Sequence, residues 1–282
     1  MKKMFFFALA AAGMLTACSN EDTLGGNGEQ NVSEQQIRLG VASSKVQTRG
    51  TGTVGGMTDA ENVWAGQTLW VYMLQKGSMD LAYYKAPAVG GVATPDVEVF
   101  NNKKFTAPDA ANNTKSGLAT TADGTIAYYP VSGNYDFWGY RVDDAAGATP
   151  VVKTVDDTGA EVEANVATKR VVDITIDGSQ DIMAGKAVPS TDEVTKLGNY
   201  ADNFYSAYAA RKGVQPNITF NHLLTRFTFE VRAGSKATAG AGASGNTEAV
   251  RVKGISVESL TNGTLTVAYT GETKQAADLL TF

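Results

Sequence analysis

Apolar and polar residues alternate with period two along much of this chain, the pattern of strands with one face buried. The earliest instance is 36–41, where Ile37, Leu39 and Val41 are separated by Arg38 and Gly40. A polar run follows and ends at Gln47, Thr48, Arg49 and Gly50. The three aliphatics are expected to face a core with Arg38 outward, and Gly40 suits a crowded or outward position. After the turn at Gly55 and Gly56, residues 68–74 and 81–84 read as strands flanking a hairpin at Lys76, Gly77 and Ser78. Residues 125–129 form a further strand candidate that runs into Pro130, which has no N–H to give a ladder. Residues 135–142 alternate after a Ser132, Gly133, Asn134 turn, and 170–176 alternate until Asp177 and Gly178.

Helical spacing is rare. Residues 181–185 and 199–211 are the two places where a short helix is plausible. In the second, Tyr200, Phe204, Tyr205 and Tyr208 recur every three to four residues, with Asp202 near the start and Gly213 to close it. They read as a packing helix or aromatic loop over a sandwich edge, the alternative being an exposed aromatic platform for sugar.

From Pro216 onward the chain offers a long strand or bulged pair of strands over 217–231, then a loop of Gly, Ala, Ser and Thr. Strands over 250–257 and 264–269 follow, around an Asn262, Gly263 turn. So few strands do not close a core, since a sandwich usually takes about seven. Either a second domain starts here and is incomplete, or these strands complete the sheets of the first. The expected organisation takes the first option. It runs as a signal peptide over 1–17, a tether over 18–35, a first strand over 36–49, an N-terminal β-sandwich over 50–213 and the start of a second sandwich over 214–282.

Composition supports an all-β fold: 30 Gly, 11 Tyr and 11 Phe, with many Thr and Val, favour short strands and tight turns. The length holds two modest domains or one large sandwich. With 24 Lys and Arg against 29 Asp and Glu, there is no general polycation to hold nucleic acid. One histidine, His222, lies in an apolar strand, without a second His or a spare Cys, so catalytic dyad, triad and zinc arrangements fail on composition. A packed or hydrogen-bonded strand histidine is the expectation. Asp143 with Asp144, and Asp156 with Asp157, lack the alternating spacing of a calcium loop and read as solvated turns, with weak Ca²⁺ binding the alternative. The chain is expected to be neither an enzyme nor a cofactor or metal protein.

The N-terminus carries the address. Met1, Lys2 and Lys3, an apolar run over 4–15 and small residues before Cys18 form a secretion signal too short to cross a bilayer as a helix. Leu15, Thr16, Ala17 and Cys18 resemble the lipobox of bacterial lipoproteins, which implies that Cys18 is diacylated and becomes the first residue. Two or three acyl chains give stable anchoring at about 0.8 kcal/mol per buried CH₂. Such a cysteine, the only one in the chain, leaves none for an internal disulfide. Ser19 after it argues, within that resemblance, against retention at the inner membrane. Glu21 and Asp22 resemble the acidic surface-export tag of Bacteroidetes lipoproteins, which places the precursor at the outer membrane. Residues 20–34 offer little to bury and read as a tether.

Taken in order, several of these elements resemble the fimbrillin family of Bacteroidales pilus subunits. They are the lipobox, the early strand ending at Thr48 and Arg49, the strand over 69–73, the 126–130 element with 135–140 after it, Asp181 to Ala184, and 218–224. The resemblance implies transthyretin-like β-sandwich domains, two in the known members. It also implies a lipoprotein-processing step and an arginine-specific protease that cuts after an early arginine, which Arg49 and Gly50 match here. The other reading of Arg49 is the end of an edge strand. Cleavage would remove Ile37, Leu39 and Val41, a self-capping strand, and open an apolar groove with unpaired N–H and C=O groups for a strand of another subunit. Shedding the lipid favours a shaft or tip subunit over an anchor. The absence of a clear apolar donor after Tyr269 leans toward a tip or a truncated shaft. The partners implied are other pilus subunits, the two proteases, and a host glycan or protein. The competing class is a monomeric surface lipoprotein that binds glycan or a host ligand through its loops.

Overall fold

Leu69, Trp70, Val71, Tyr72, Met73 and Leu74 are buried without a break. A strand that hides every side chain lies in a sheet covered on both faces. The structure is a computed structural model. It describes residues 36–43, 67–84, 96–107, 120–121, 124–142, 149–178, 180–200, 204–225, 227, 229–230, 252–271, 274–275 and 278–282. Thirteen strands are described: β1 (Gly40–Ser43), β2 (Thr68–Gln75), β3 (Tyr83–Tyr84), β4 (Val97–Glu98), β5 (Lys103–Thr106), β6 (Thr120–Thr121), β7 (Tyr135–Val142), β8 (Val152–Val155), β9 (Lys169–Thr175), β10 (Ile182–Lys186), β11 (Asn217–His222), β12 (Asn262–Tyr269) and β13 (Leu280–Thr281). Two short helices, α1 (Thr191–Leu197) and α2 (Ala207–Arg211), lie between β10 and β11.

The fold is all-β. A seven-stranded sheet has the order β1-β11-β10-β7-β2-β5-β6, a four-stranded sheet the order β13-β12-β9-β8, and β3 pairs with β4 as a small ribbon. Trp70, Tyr72, Trp138, Tyr140 and Ile182 on one face of the large sheet pack against Val172, Ile174, Leu265 and Val267 of the small one. The opposite face, with Leu69, Val71, Met73, Phe137, Met183, Ile218 and Phe220, is covered by Leu197 of α1, by Ala207, Ala209 and Ala210 of α2, and by Ile37, Leu39 and Val41. The architecture is therefore a β-sandwich whose larger sheet carries a third layer.

The expected boundary between two domains is corrected by strand pairing. β11, assigned from sequence to the start of a second domain over 214–282, lies between β1 and β10. β12 pairs antiparallel with β9 from Asn262 beside Thr175 to Tyr269 beside Lys169. Both complete the sheets of the first sandwich, the other option the sequence leaves open. The physical reason is that β10 and β9 would otherwise be unpaired edges with buried apolar faces. The strand expected over 217–231 ends at His222, and the one expected over 250–257 forms no ladder among its described residues. Phe227, Phe229, Val252, Ile255, Val257 and Leu260 are at least half exposed there.

Three smaller differences have local causes. Residues 181–185, read as a possible helix, belong to β10, where Met183 lies between Arg141 of β7 and His222 of β11. Burial on both faces leaves such a strand without alternation. Residues 125–129 make one antiparallel bridge, Tyr128 to Gln36, and no strand. The turn at Gly77 forms as expected, with Gln75 N–H donating to Asp80 C=O at 2.8 Å and Gly77 at a φ of 73°. The strand expected over 81–84, however, makes one bridge to β2, Leu81 to Leu74, before Tyr83 and Tyr84 pair with β4.

Gly185 is the tightest point of the large sheet, because a Cβ there would run into the Thr219 carbonyl of β11. Gly185→Ala is expected to lower stability by about 1–3 kcal/mol in chemical denaturation. Gly254→Ala, at an exposed position where a Cβ meets nothing within 4 Å, should leave the midpoint within error.

Candidate functional site

β1 forms one edge of the seven-stranded sheet and differs from its other members in direction. It runs parallel to β11, from Gly40 beside Asn217 to Ser43 beside Phe220. The remaining described pairs in both large sheets are antiparallel. Upstream of Gly40 the chain leaves the ladder and passes between two partners. Ile37 N–H donates to Ala127 C=O at 2.9 Å on one side. On the other, Arg38 N–H donates to Gln215 Oε1 at 3.0 Å, and Gln215 Nε2 donates to Gln36 C=O at 3.0 Å. Gly40 N–H donates to Pro216 C=O at 2.9 Å.

The side chains of this segment alternate as its pattern requires. Ile37, Leu39 and Val41 are 7%, 2% and 2% exposed, and Arg38 is exposed. Beneath 36–39 lies a cavity of about 120 Å³ lined by Ile37, Leu39, Phe100, Phe105, Thr121 and Ala127 among others. Cys18, Arg49 and Gly50 lie outside the described residues, as do 1–35 and 44–66. The described residues thus include Ile37, Leu39 and Val41 of the expected site, and the residues expected to be lipidated and cleaved lie outside them.

A buried polar cluster sits on the same face of the sheet, at the end of β11. His222 Nδ1 lies 2.8 Å from Asp181 Oδ1, with both side chains fully buried. Arg141 Nη1 donates to the Asp181 carbonyl at 3.2 Å and lies 3.7 Å from Asp181 Oδ2, and Arg141 Nη2 donates to Gln67 Oε1 at 2.7 Å. His222 therefore has the hydrogen-bonded structural place expected from its strand. Among the described residues no group of three His, Cys, Asp or Glu side chains is arranged to hold a metal ion. On the neighbouring apolar surface, burial pushes the Tyr129 and Tyr205 phenols well above their ordinary range.

The other acidic and aromatic candidates resolve into local structure. Asp156 Oδ1 accepts from Thr158 N–H, Thr158 Oγ1 and Ala160 N–H at 2.9, 2.6 and 3.0 Å, an Asx-type turn. Those bonds, the Thr158 hydroxyl first, hold its carboxyl below the usual aspartate range. Asp143 and Asp144 lie outside the described residues. Of the four aromatics over 200–208, Tyr205 is 2% exposed and Tyr200 is 55% exposed. Tyr200 and Tyr208 meet with ring centroids 5.1 Å apart. The set is divided between core and surface and forms no single platform.

Two features escape a reading by apolar pattern. One is α1, whose signal is the capping box of Ser190 and Glu193: Ser190 N–H donates to Glu193 Oε2 at 2.8 Å. The other is Gln215, whose role has no local signature beyond a polar residue before Pro216. Comparisons with family models, with characterised proteins and with solved structures find no match to this chain.

Breaking a buried ion cluster by removing one member strands the others. Asp181→Leu, which leaves Arg141 and His222 without their carboxylate, is expected to cost about 3–5 kcal/mol in chemical denaturation. A change below about 1 kcal/mol would show that the cluster is hydrated in solution.

Proposed function

We propose that this chain is a structural subunit, shaft or tip, of a cell-surface fimbria. It polymerises by strand exchange after the lipidated leader is removed at Arg49. The observation that carries the reading is the placement of Ile37, Leu39 and Val41: three core side chains on an edge segment that precedes Arg49 in the chain. Each contributes about 1.5–3 kcal/mol by burial, so the segment supplies several kcal/mol to a fold whose total margin is of order 5–15 kcal/mol. Its loss would leave β11 as an unpaired edge beside an open apolar groove. A strand from a second subunit restores both the ladder and the buried face.

The resemblance to fimbrillins supports the same reading from the other end of the site. Acylation at Cys18 would bring the precursor to the outer membrane, with lipoprotein-processing and arginine-specific proteases as transient partners. The leader strand keeps the precursor capped until cleavage, so assembly waits for surface exposure. No cofactor, metal or nucleic acid enters this scheme. A host glycan or protein is the remaining partner, contacted by the finished fibre.

Treating the purified precursor with an arginine-specific protease is the direct test. Cleavage between Arg49 and Gly50, followed by filaments or SDS-resistant ladders, is expected. A cleaved protein that stays monomeric at high concentration and binds a glycan would replace the proposal with the monomeric lipoprotein reading. Leu39→Asp should destabilise the uncleaved chain by about 3–5 kcal/mol, the cost of a charge and a cavity in the core. Equal melting temperatures for Leu and Asp at position 39 would return the segment to the tether.

A further inference from the structure

The start of β11 has a pairing problem. Pro216 carries no N–H, so the parallel ladder between β11 and β1 cannot be continued upstream by backbone alone. One step beyond the proline a side chain takes over. The Gln215 amide accepts from Arg38 N–H and donates to Gln36 C=O, each at 3.0 Å. In an extended strand the C=O of one residue and the N–H two residues later lie along the same edge. A primary amide holds an acceptor and a donor side by side and matches that pair. Both contacts go to main-chain atoms, and the opposite edge is held in the same way, by Ile37 N–H donating to Ala127 C=O at 2.9 Å. Side-chain selection is left to the apolar surface beneath, where Leu39 and Ile37 border the cavity against Phe100 and Phe105.

We propose that Gln215 is the positioning residue of this strand site, and that its amide recognises the backbone of whichever strand lies there, the leader in cis or a strand of a second subunit in trans. The trans half rests on the strand-exchange reading above. A half-turn of the amide exchanges its donor and acceptor, which fits a strand running in the opposite direction. The site therefore asks of an occupant an extended backbone and alternating apolar residues, and not a particular sequence. A leader held in this way can be replaced by a strand of unrelated sequence once cleavage frees it.

Amide hydrogen exchange on the full uncleaved chain tests the cis half. In Gln215→Met the Arg38 amide is expected to exchange at least tenfold faster than in wild type, with the Phe220 amide unchanged. Gln215→Glu keeps the acceptor and should hold Arg38 near the wild-type rate; it also keeps the test open if the Met variant does not fold. Equal Arg38 rates in wild type and Gln215→Met overturn the proposal.

For the trans half, the same chains are treated with an arginine-specific protease, the protease is inactivated and removed, and the chains are then mixed with a fluorescent peptide of residues 36–43. The Met variant is expected to bind it at least tenfold more weakly. Equal binding by wild type and Met variant overturns recognition in trans. If the wild type is cleaved and binds no peptide while Arg38 exchange still responds to Gln215→Met, the strand-exchange reading fails and the trans half falls with it.

Discussion

A sheet that is apolar on both faces has to be covered twice, and the arrangement of this chain follows from that requirement. β2 and β7 have almost no polar positions to turn toward water, so neither face of the seven-stranded sheet can be left bare. The four-stranded sheet covers one face with β9 and β12. Among the described residues nothing of comparable size covers the other. That face is closed piecemeal by α1, α2, the Tyr129 segment and residues 37–41, each too small to be stable apart from the sheet. Among the described residues these covers are joined to one another by little backbone pairing, the bridge between Gln36 and Tyr128 and the bond from Ile37 N–H to Ala127 C=O linking two of them.

The same requirement explains what could be read from the sequence and what could not. Strands with one buried face announce themselves: Ile37, Leu39 and Val41 alternate with Arg38 in sequence and in burial, and so do Val172 and Ile174 with Asp173. Strands buried on both faces lose alternation, which is why 181–185 resembles a short helix as much as the central strand it forms. Domain closure was not legible at all, because the partners of β11 and β12 lie far back in the chain, at β10 and β9. Counting strands after Pro216 treats them as a group, whereas the fold distributes them between two sheets. α1 was legible in principle from Ser190 and Glu193, a cap signal that apolar periodicity does not register.

The candidate site was legible in its apolar half only. Period two fixes which side chains of 36–41 go inward whatever they meet there. It cannot say that the segment runs parallel to β11, that it straddles two partners, or that the Gln215 amide holds Gln36 and Arg38 upstream of Pro216. These depend on residues about 180 positions apart being adjacent. The polar cluster of Arg141, Asp181 and His222 has the same character. Each residue alone looks like an ordinary polar residue of a strand, and their contact with one another appears only when β7, β10 and β11 are placed side by side.

Parallel pairing at an edge sets how firmly the leader segment is held. Parallel ladders are slightly weaker per residue than antiparallel ones, and here the ladder is short, from Gly40 to Ser43. The backbone therefore contributes modestly, and most of the holding energy comes from three aliphatic side chains and the contacts around them. An interaction of that composition is strong in total and undemanding in sequence, since burial is non-directional. While the segment is covalently part of the chain, its local concentration keeps the position filled. If the proposed cleavage cut that connection, the position would be open to mass action, and an intermolecular strand with equal apolar content would compete on equal terms. On the proposed reading, proteolysis changes no contact in the core; it converts an intramolecular cap into an exchangeable one, and assembly follows from that loss of effective concentration.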